Sequence, residues 1–312
     1  MYAVDVKRKQ SFGTRLRKDM KKHWRAYLIA LPVILFYLLF HYKPMYGLII
    51  AFKDYSPGAG IWGSEWVGLR HFKNFINNYY FWRLIRNTLT ISLSSLLFGF
   101  PAPIIFALLL NELKSNKFKR VVQTISYMPH FISTVILVGL VRTLVAEDGP
   151  LTAFVSMFGV EKTSLLTLPE LFVPIYTLSG IWAEIGWGAI IYLSALAGVD
   201  QQLYDAAMID GANRWKQTIY VTIPCISEMI IIRLLLRLGG LMSVGSEKIL
   251  LMYNEVTMNR ADVISTYVYR RGLESYEWSY SSAVGFFNTV INFILILIFN
   301  KISKKVSEVS LW

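Results

Sequence analysis

The sequence predicts an all-α polytopic membrane protein with about six transmembrane helices. Three observations carry this. Of 312 residues, 54% are hydrophobic and 15% aromatic, and the mean hydropathy is +0.44, too apolar for an ordinary soluble domain. The apolar residues gather into runs of membrane-spanning length. The formal charge of +12 lies largely at the flanks of those runs. That is a topology signal, and it comes without the groove or stacking chemistry that a nucleic-acid partner needs.

Residues 1–25 form a basic tail with Lys7, Arg8, Lys9, Arg15, Arg17, Lys18, Lys21, Lys22 and Arg25. Basic then apolar is also the order of a signal peptide. The length of the basic region, Pro32 inside the apolar run and the lack of a small-residue cleavage site favour a retained signal-anchor helix. The first span is read at 26–42 and is followed by an external loop, so 26–87 forms one unit. The second, 88–110, is about 34 Å long at the helical rise, enough to cross a bilayer. The third is read at 131–145, with a helical pattern reaching back to about 121 and a break at Pro129. The fourth is 171–196, the fifth 224–241 and the sixth 283–299. Residues 88–300 make up the core, and 301–312 a second basic tail with Lys301, Lys304 and Lys305. Between the last two spans, 245–282 carries Glu247, Tyr253, Tyr267, Tyr269, Tyr276, Trp278 and Tyr280 and reads as a structured external excursion.

The flanks orient the chain. Both tails, the 111–120 loop with Lys114, Lys117, Lys119 and Arg120, and the 199–222 segment go to the cytoplasm. The 146–170 loop, with Glu147, Asp148, Glu161 and Glu170 against Lys162, goes outside. The 43–87 loop departs from the charge rule, with Lys43, Lys53, Arg70, Lys73, Arg83 and Arg86 against Asp54 and Glu65. An even number of spans must return both tails to one side, so this loop is also placed outside. Its Gly-, Trp- and Tyr-rich sequence suits an interfacial cap. The expectation is a multi-pass protein of the cell membrane, surrounded by lipid, with both termini cytoplasmic.

Several chemistries are missing. Cys225 is the only cysteine, so no intrachain disulfide or cysteine cluster forms. His23, His41, His71 and His130 have no metal-ligand spacing. The nearest Gly-rich run, from Gly240 to Glu247, has Ser246 where a phosphate loop needs lysine and Glu247 where it needs a hydroxyl. No nucleophile–base pair suggests an enzyme. Charge inside the apolar runs is more telling. Arg142 lies near a helix end and reaches the interface. Arg233 and Arg237, four apart, share a helix face that must meet protein or water. Glu184 sits near the middle of the fourth span among Tyr176, Trp182, Trp187 and Tyr192. A carboxylate there either serves function or pairs with Arg233 or Arg237. Sugars offer C–H faces to aromatic rings and hydroxyls to carboxylates, so this span suits a glycan path. The alternative is packing within the bundle and at the interfaces. Asn288 and Asn292 share a face that either lines the path or joins helices.

The most informative stretch is Asp205-Ala206-Ala207, then Gly211, then Val221, Ile223 and Pro224. Asp205 supplies negative charge suited to a helix N-terminus. The two alanines allow close approach of another surface. Gly211 permits a sharp turn or a positive φ, and Pro224 fits the first turn of a new helix. The reading is helix, turn, helix, then a hydrophobic span.

In register, these residues resemble the EAA loop of ABC-importer permeases: acidic residue, two alanines, three positions, glycine, nine positions, aliphatic, one position, aliphatic, proline. Asp205 replaces the usual glutamate, one methylene shorter. The chain also resembles carbohydrate-importer permeases, above all those linked to polysaccharide fragments and lipoproteins. That likeness rests on the early first span, on 44–52, on Asn74-Phe75 with Asn87-Thr88, and on 127–132. The resemblance implies a type I ABC-importer permease fold in which Asp205, Ala206, Ala207, Gly211 and Pro224 couple to an ATPase. It implies a heteromeric complex with a second homologous permease, two ATPase subunits that carry the ATP and Mg, and an extracellular solute-binding protein. This chain would hold no cofactor. The expected function is import of oligosaccharides by alternating access. A secondary transporter, or an ABC permease for a non-sugar solute, is the alternative; the first would leave the 205–224 pattern unexplained.

Overall fold

A computed structural model of the chain describes residues 12–159, 161–307 and 310–311. Lys7, Arg8 and Lys9 of the basic tail lie outside the described residues, as do 308, 309 and 312 of the second tail. The protein is helical, with two-residue strands at Lys53–Asp54 and Glu65–Trp66 paired antiparallel. Among the described residues, five helices are long and apolar enough to cross a membrane: Trp24–Phe52, Phe81–Asn111, Pro169–Ala197, Arg214–Gly239 and Trp278–Val306. Between Phe81–Asn111 and Pro169–Ala197, Asn116–Phe131 and Thr134–Leu144 meet at 105°, a bent pair in the position of the third span. Its break falls after Phe131. Pro129 lies just upstream in a tight turn, Met128–Phe131, and Ser133 caps the second half by accepting from the Ile136 N–H at 3.4 Å.

The spans run past their expected ends where charge misled the reading. The second begins at Phe81 because Arg83 and Arg86 ride on its outer turns. The fifth begins at Arg214, ten residues before Pro224. Three spans contain a proline two positions after a π-turn: Leu38–Tyr42 before Pro44, Ser95–Gly99 before Pro101, and Thr218–Thr222 before Pro224. Proline lacks an N–H, and its ring crowds the carbonyl four residues back. The π-turn widens the backbone, so the Ile223 N–H reaches the Thr218 carbonyl five residues back. The helix therefore continues through Pro224, where the sequence suggested the first turn of a new one.

Between the first and second spans, 53–80 folds as a cap over the sixth span. Phe52 packs between Trp66, Phe72 and Phe286. Three of the six cations that broke the charge rule have partners within the fold. Buried Lys53 donates to the carbonyls of Trp62 (3.4 Å) and Ser64 (3.1 Å), and Arg70 pairs with Asp54 at 2.6 Å. Arg83 reaches Asp262 at 3.5 Å and lies over the Tyr80 ring.

Asp262 is fully buried and organises the cap end of the bundle. Arg270 donates to it bidentately at 2.9 and 2.7 Å, and Thr266 Oγ1 donates at 2.7 Å. Asn87 on the second span donates to the carbonyls of Asn259 and Asp262, both at 3.0 Å, and Thr88 accepts from the Ile264 N–H at 3.2 Å. The Asn87-Thr88 pair thus pins the 258–274 segment to the second span. Phe75 anchors the cap in an aromatic cluster with Phe81, Tyr267, Tyr280 and Phe287.

Replacing Asp262 by Ala leaves Arg270 and Arg83 without their buried anion. Such losses cost about 3–5 kcal/mol, so the variant is expected to melt well below the wild type in detergent and to give little intact protein. An unchanged melting temperature would contradict this role.

Candidate functional site

The fourth span is the axis of the bundle, and glycines set its distances. A Cβ on Gly186 would sit 2.2 Å from the Ser126 carbonyl oxygen, and one on Gly188 would sit 2.9 Å from Pro103 Cγ. The third and second spans therefore approach its backbone directly, the close packing that small residues allow in membranes. On another face, Tyr176, Gly180, Glu184 and Gly188 repeat every four residues and open onto a cavity of about 700 Å³. Arg233, Arg237 and Gly240 of the fifth span form a second wall, and Glu247 and Lys248 a third. The arginine face lines this cavity, a setting that suits the cost of charge in lipid.

Glu184 lines this cavity. Its partner is His130 at the break of the third span, neither Arg233 nor Arg237: His130 Nδ1 lies 3.2 Å from both carboxylate oxygens. The His130 ring also stacks flat on Trp187, centroids 4.4 Å apart at 3°. Among the described residues, neither arginine forms a salt bridge. Arg233 sits beside the Tyr192 hydroxyl. Lys248, in the helix Ser246–Met252 outside the six spans, donates to the Tyr176 carbonyl at 2.8 Å and lies 4.5 Å from that ring. Burial pushes its pKa down to about 8, against the opposing pull of the Glu184 charge.

Of the residues proposed for a substrate path, Tyr176, Glu184 and Trp187 line the cavity and Trp182 does not. Asn292 joins helices. Its Oδ1 accepts from the Met242 N–H and its Nδ2 donates to Ser243 Oγ, both at 2.9 Å, tying the sixth span to the turn after the fifth. Asn288 is outside the lining, with its Oδ1 buried and without a hydrogen-bond partner. Sequence reasoning missed His130 and Lys248 as members of this site. The available signals were a histidine beside a proline within an apolar run, and a lone cation leading Ile249-Leu250-Leu251-Met252.

The 205–224 segment forms an elbow at one end of the fifth span. Helix Gln201–Ile209 starts at Asp200, whose side chain accepts from the Gln202 N–H. Asp205 therefore lies inside the helix, and the expected N-terminal role belongs to Asp200. The helix ends in a Schellman turn: Gly211 N–H bonds the Met208 carbonyl (3.0 Å) and Ala212 N–H the Ala207 carbonyl (2.9 Å). Gly211 has φ +76°, the positive value its place in the sequence predicts. Asn213 then caps the fifth span by accepting from the Lys216 N–H at 2.9 Å. Two cross-braces fix the angle. Buried Gln217 donates to the Ala212 carbonyl at 2.9 Å, and the Tyr204 hydroxyl meets Thr222 Oγ1 at 3.0 Å. Ala206 and Asp205 stay exposed, beside Ile209 (87% exposed) and Trp215 (72%).

Residues 99–308, which span the cavity and the elbow, match the model of the binding-protein-dependent transport system inner membrane components. The chain belongs to this family. Relatives support the assignment along nearly the full length of this permease. It is 43% identical over 294 residues to Protein LplB of Bacillus subtilis (strain 168), covering 94% of this chain and 92% of that one. It is 44% identical over 283 residues to the polygalacturonan/rhamnogalacturonan transport system permease protein YteP of the same organism, covering 90% and 88%. Among solved structures it is similar to a chain of a bacterial ABC transporter involved in the import of the acidic polysaccharide alginate. That match has TM-score 0.86 and 43% identity, covering 94% of this chain and 99% of the other. A second match is to a bacterial alginate ABC transporter in complex with alginate pentasaccharide-bound periplasmic protein, with TM-score 0.87 and 42% identity, covering 95% and 100%. The fold expected from the EAA-type pattern is the fold observed.

Gly186→Ala in this permease forces the third and fourth spans apart and is expected to cost about 1–3 kcal/mol, read as a lower melting temperature and lower transport. Gly139→Ala, where an added Cβ meets nothing within 4 Å, is expected to leave both unchanged. Equal effects of the two substitutions would remove the close-approach argument.

Proposed function

We propose that this permease is the membrane subunit of an ATP-driven importer for oligosaccharides that carry carboxylates. The observation behind this is the cavity wall. Arg233, Arg237 and Lys248 bring three cations to one space beside Trp187 and Tyr176. Arginine presents a planar donor fork that matches a carboxylate, and the rings offer faces to sugar C–H groups. Glu184 is engaged by His130, so the two arginines are left facing the cavity. The relatives named for polygalacturonan and alginate have anionic sugar chains as their named substrates, which agrees with this chemistry.

The elbow is the docking site for an ATPase subunit. Ile209, Trp215, Leu203 and Met208 expose apolar surface around Asp205 and Ala206, and contiguous exposed apolar area of this kind marks an interaction site. ATP and Mg belong to two such partner chains. A second permease completes the pathway and packs against the first span, where no residue of Trp24–Tyr42 is buried within this chain. A solute-binding protein delivers sugar at the cap, and both termini face the cytoplasm.

ATP-driven uptake by the reconstituted complex tests the substrate class. Arg237→Gln is expected to lower uptake of a uronic-acid oligosaccharide about tenfold, the scale of one lost charge-assisted bond, with less effect on its carboxyl-reduced counterpart. At pH 7, below about 8, Lys248 keeps its proton; raising the pH to 9 removes that charge and slows uronide uptake. Lys248→Arg stays charged throughout, so its uptake is expected to lack the fall across pH 8. Parallel pH profiles for both proteins, or equal loss of both sugars in Arg237→Gln, would contradict the anionic reading.

Orientation is tested by cysteine labelling in a Cys225→Ser background, because Cys225 is itself exposed. Cysteines replacing Ser115 and Lys216 are expected to label only from the cytoplasm, and one replacing Gly58 only from outside. Cytoplasmic labelling at 58 would overturn the topology.

A further inference from the structure

A second cavity, of about 450 Å³, lies between the cap and the start of the sixth span. Two pieces far apart in sequence build it. The cap supplies Asp54, Tyr55 and Asn74; the other wall supplies Tyr276, Glu277 and Trp278. Every side chain in the wall is aromatic or polar, and none among the described residues is aliphatic. Such a wall disfavours a lipid tail and suits a ligand with C–H faces and many hydroxyls.

The two walls are locked together. The Tyr55 N–H donates to Ser279 Oγ at 2.9 Å, and the Tyr55 ring meets Trp278 edge-on at 6.0 Å. Tyr276 has φ +58°, the only positive φ on a non-glycine among the described residues. An aromatic residue rarely adopts that backbone, and such outliers persist only where surrounding structure imposes them. Here the Glu277 N–H bonds the Arg271 carbonyl at 2.8 Å, and the Arg271 and Glu277 side chains pair at 2.7 Å. The result is a Tyr276 ring held at the rim, 68% exposed and edge-on to Trp278 at 5.8 Å.

We propose that this pocket is an outer sugar-binding site, taking a pyranose ring of the incoming chain before it reaches the main cavity. It rests on the reading of the protein as an oligosaccharide permease with the cap outside. Tyr276, Trp278 and Tyr55 supply ring contacts. Asn74 and the paired carboxylates and arginine supply hydroxyl partners. Its volume falls within the usual range of small-ligand pockets, about 300–1,000 Å³. Asp54 is neutralised by Arg70, and Glu277 by Arg271. This site therefore recognises hydroxyls and ring faces and is indifferent to the carboxylate, unlike the cavity at Arg233 and Arg237.

The test uses the purified permease–ATPase complex without its solute-binding protein. The probes are a uronic-acid pentasaccharide and its carboxyl-reduced counterpart, titrated by calorimetry. Both are expected to bind with similar affinity. Tyr276→Ala and Asn74→Ala are expected to weaken both about three- to tenfold, with complex yield and affinity for the binding protein unchanged, while Arg237→Gln leaves this binding intact. Unaltered sugar binding in the two cap-pocket variants would overturn the site. So would weaker binding-protein docking with sugar binding intact, which would make the pocket a seat for a protein loop. A complex that transports the sugar yet does not bind it in this assay overturns the outer site and leaves the transport reading standing. Tyr276-dependent binding in a complex that transports no sugar does the reverse.

Discussion

Helix Arg214–Gly239 runs unbroken past Pro224, and the link between the two ends of this permease depends on that continuity. Proline in a helix interior normally kinks or ends it. Here the π-turn at Thr218–Thr222 shifts the bonding by one residue and carries the helix through. One rod therefore bears the elbow at Trp215 and the cavity cation at Arg237, about 33 Å apart at the helical rise. Elbow and cavity wall are thus parts of one helix. The Schellman turn at Gly211, the Asn213 cap, the Gln217 brace and the Tyr204–Thr222 contact bind helix Gln201–Ile209 to the same rod.

The rest of the bundle packs around that rod. Gly186 and Gly188 seat the second and third spans on the fourth. The buried Asp262 cluster fixes the cap end, and Asn292 ties the sixth span to the turn that follows Gly239. His130 holds the break of the third span to Glu184 and Trp187. The 105° bend thus sits beside the cavity, joined to it by one hydrogen-bonded side-chain pair and one ring stack. Charged groups in the core gather at water or at partners, as membrane energetics demand.

Much of this was legible because the bilayer is a simple solvent. Apolar runs marked about six spans, and the described residues hold five such helices and one bent pair. Gly211 announced its positive φ through its place between two helical patterns. The failures share a cause, which is that tertiary partners are invisible to local reading. Arg83 looked like a loop residue because its anion, Asp262, lies 179 positions away. Asp205 was read as a helix start although Asp200 fills that role. Pro224 was read as a helix start because a π-turn leaves no sequence mark. For Glu184 the pairing weighed beside a functional role was with the arginines of the fifth span, the cations in view, and its partner is His130 at a break whose angle the sequence does not state. Lys248 was hidden in a segment read as an external excursion.

The central claim is that elbow and cavity wall move as one body. Paired spin labels in the reconstituted complex measure this, one pair at Ile209 and Leu236 on the elbow and the fifth span, the other at Ile209 and Leu97 on the second span. With and without bound nucleotide, the account predicts an unchanged 209–236 distance and a changed 209–97 distance. A shift between 209 and 236, with 209–97 fixed, would place a hinge inside the rod and contradict it.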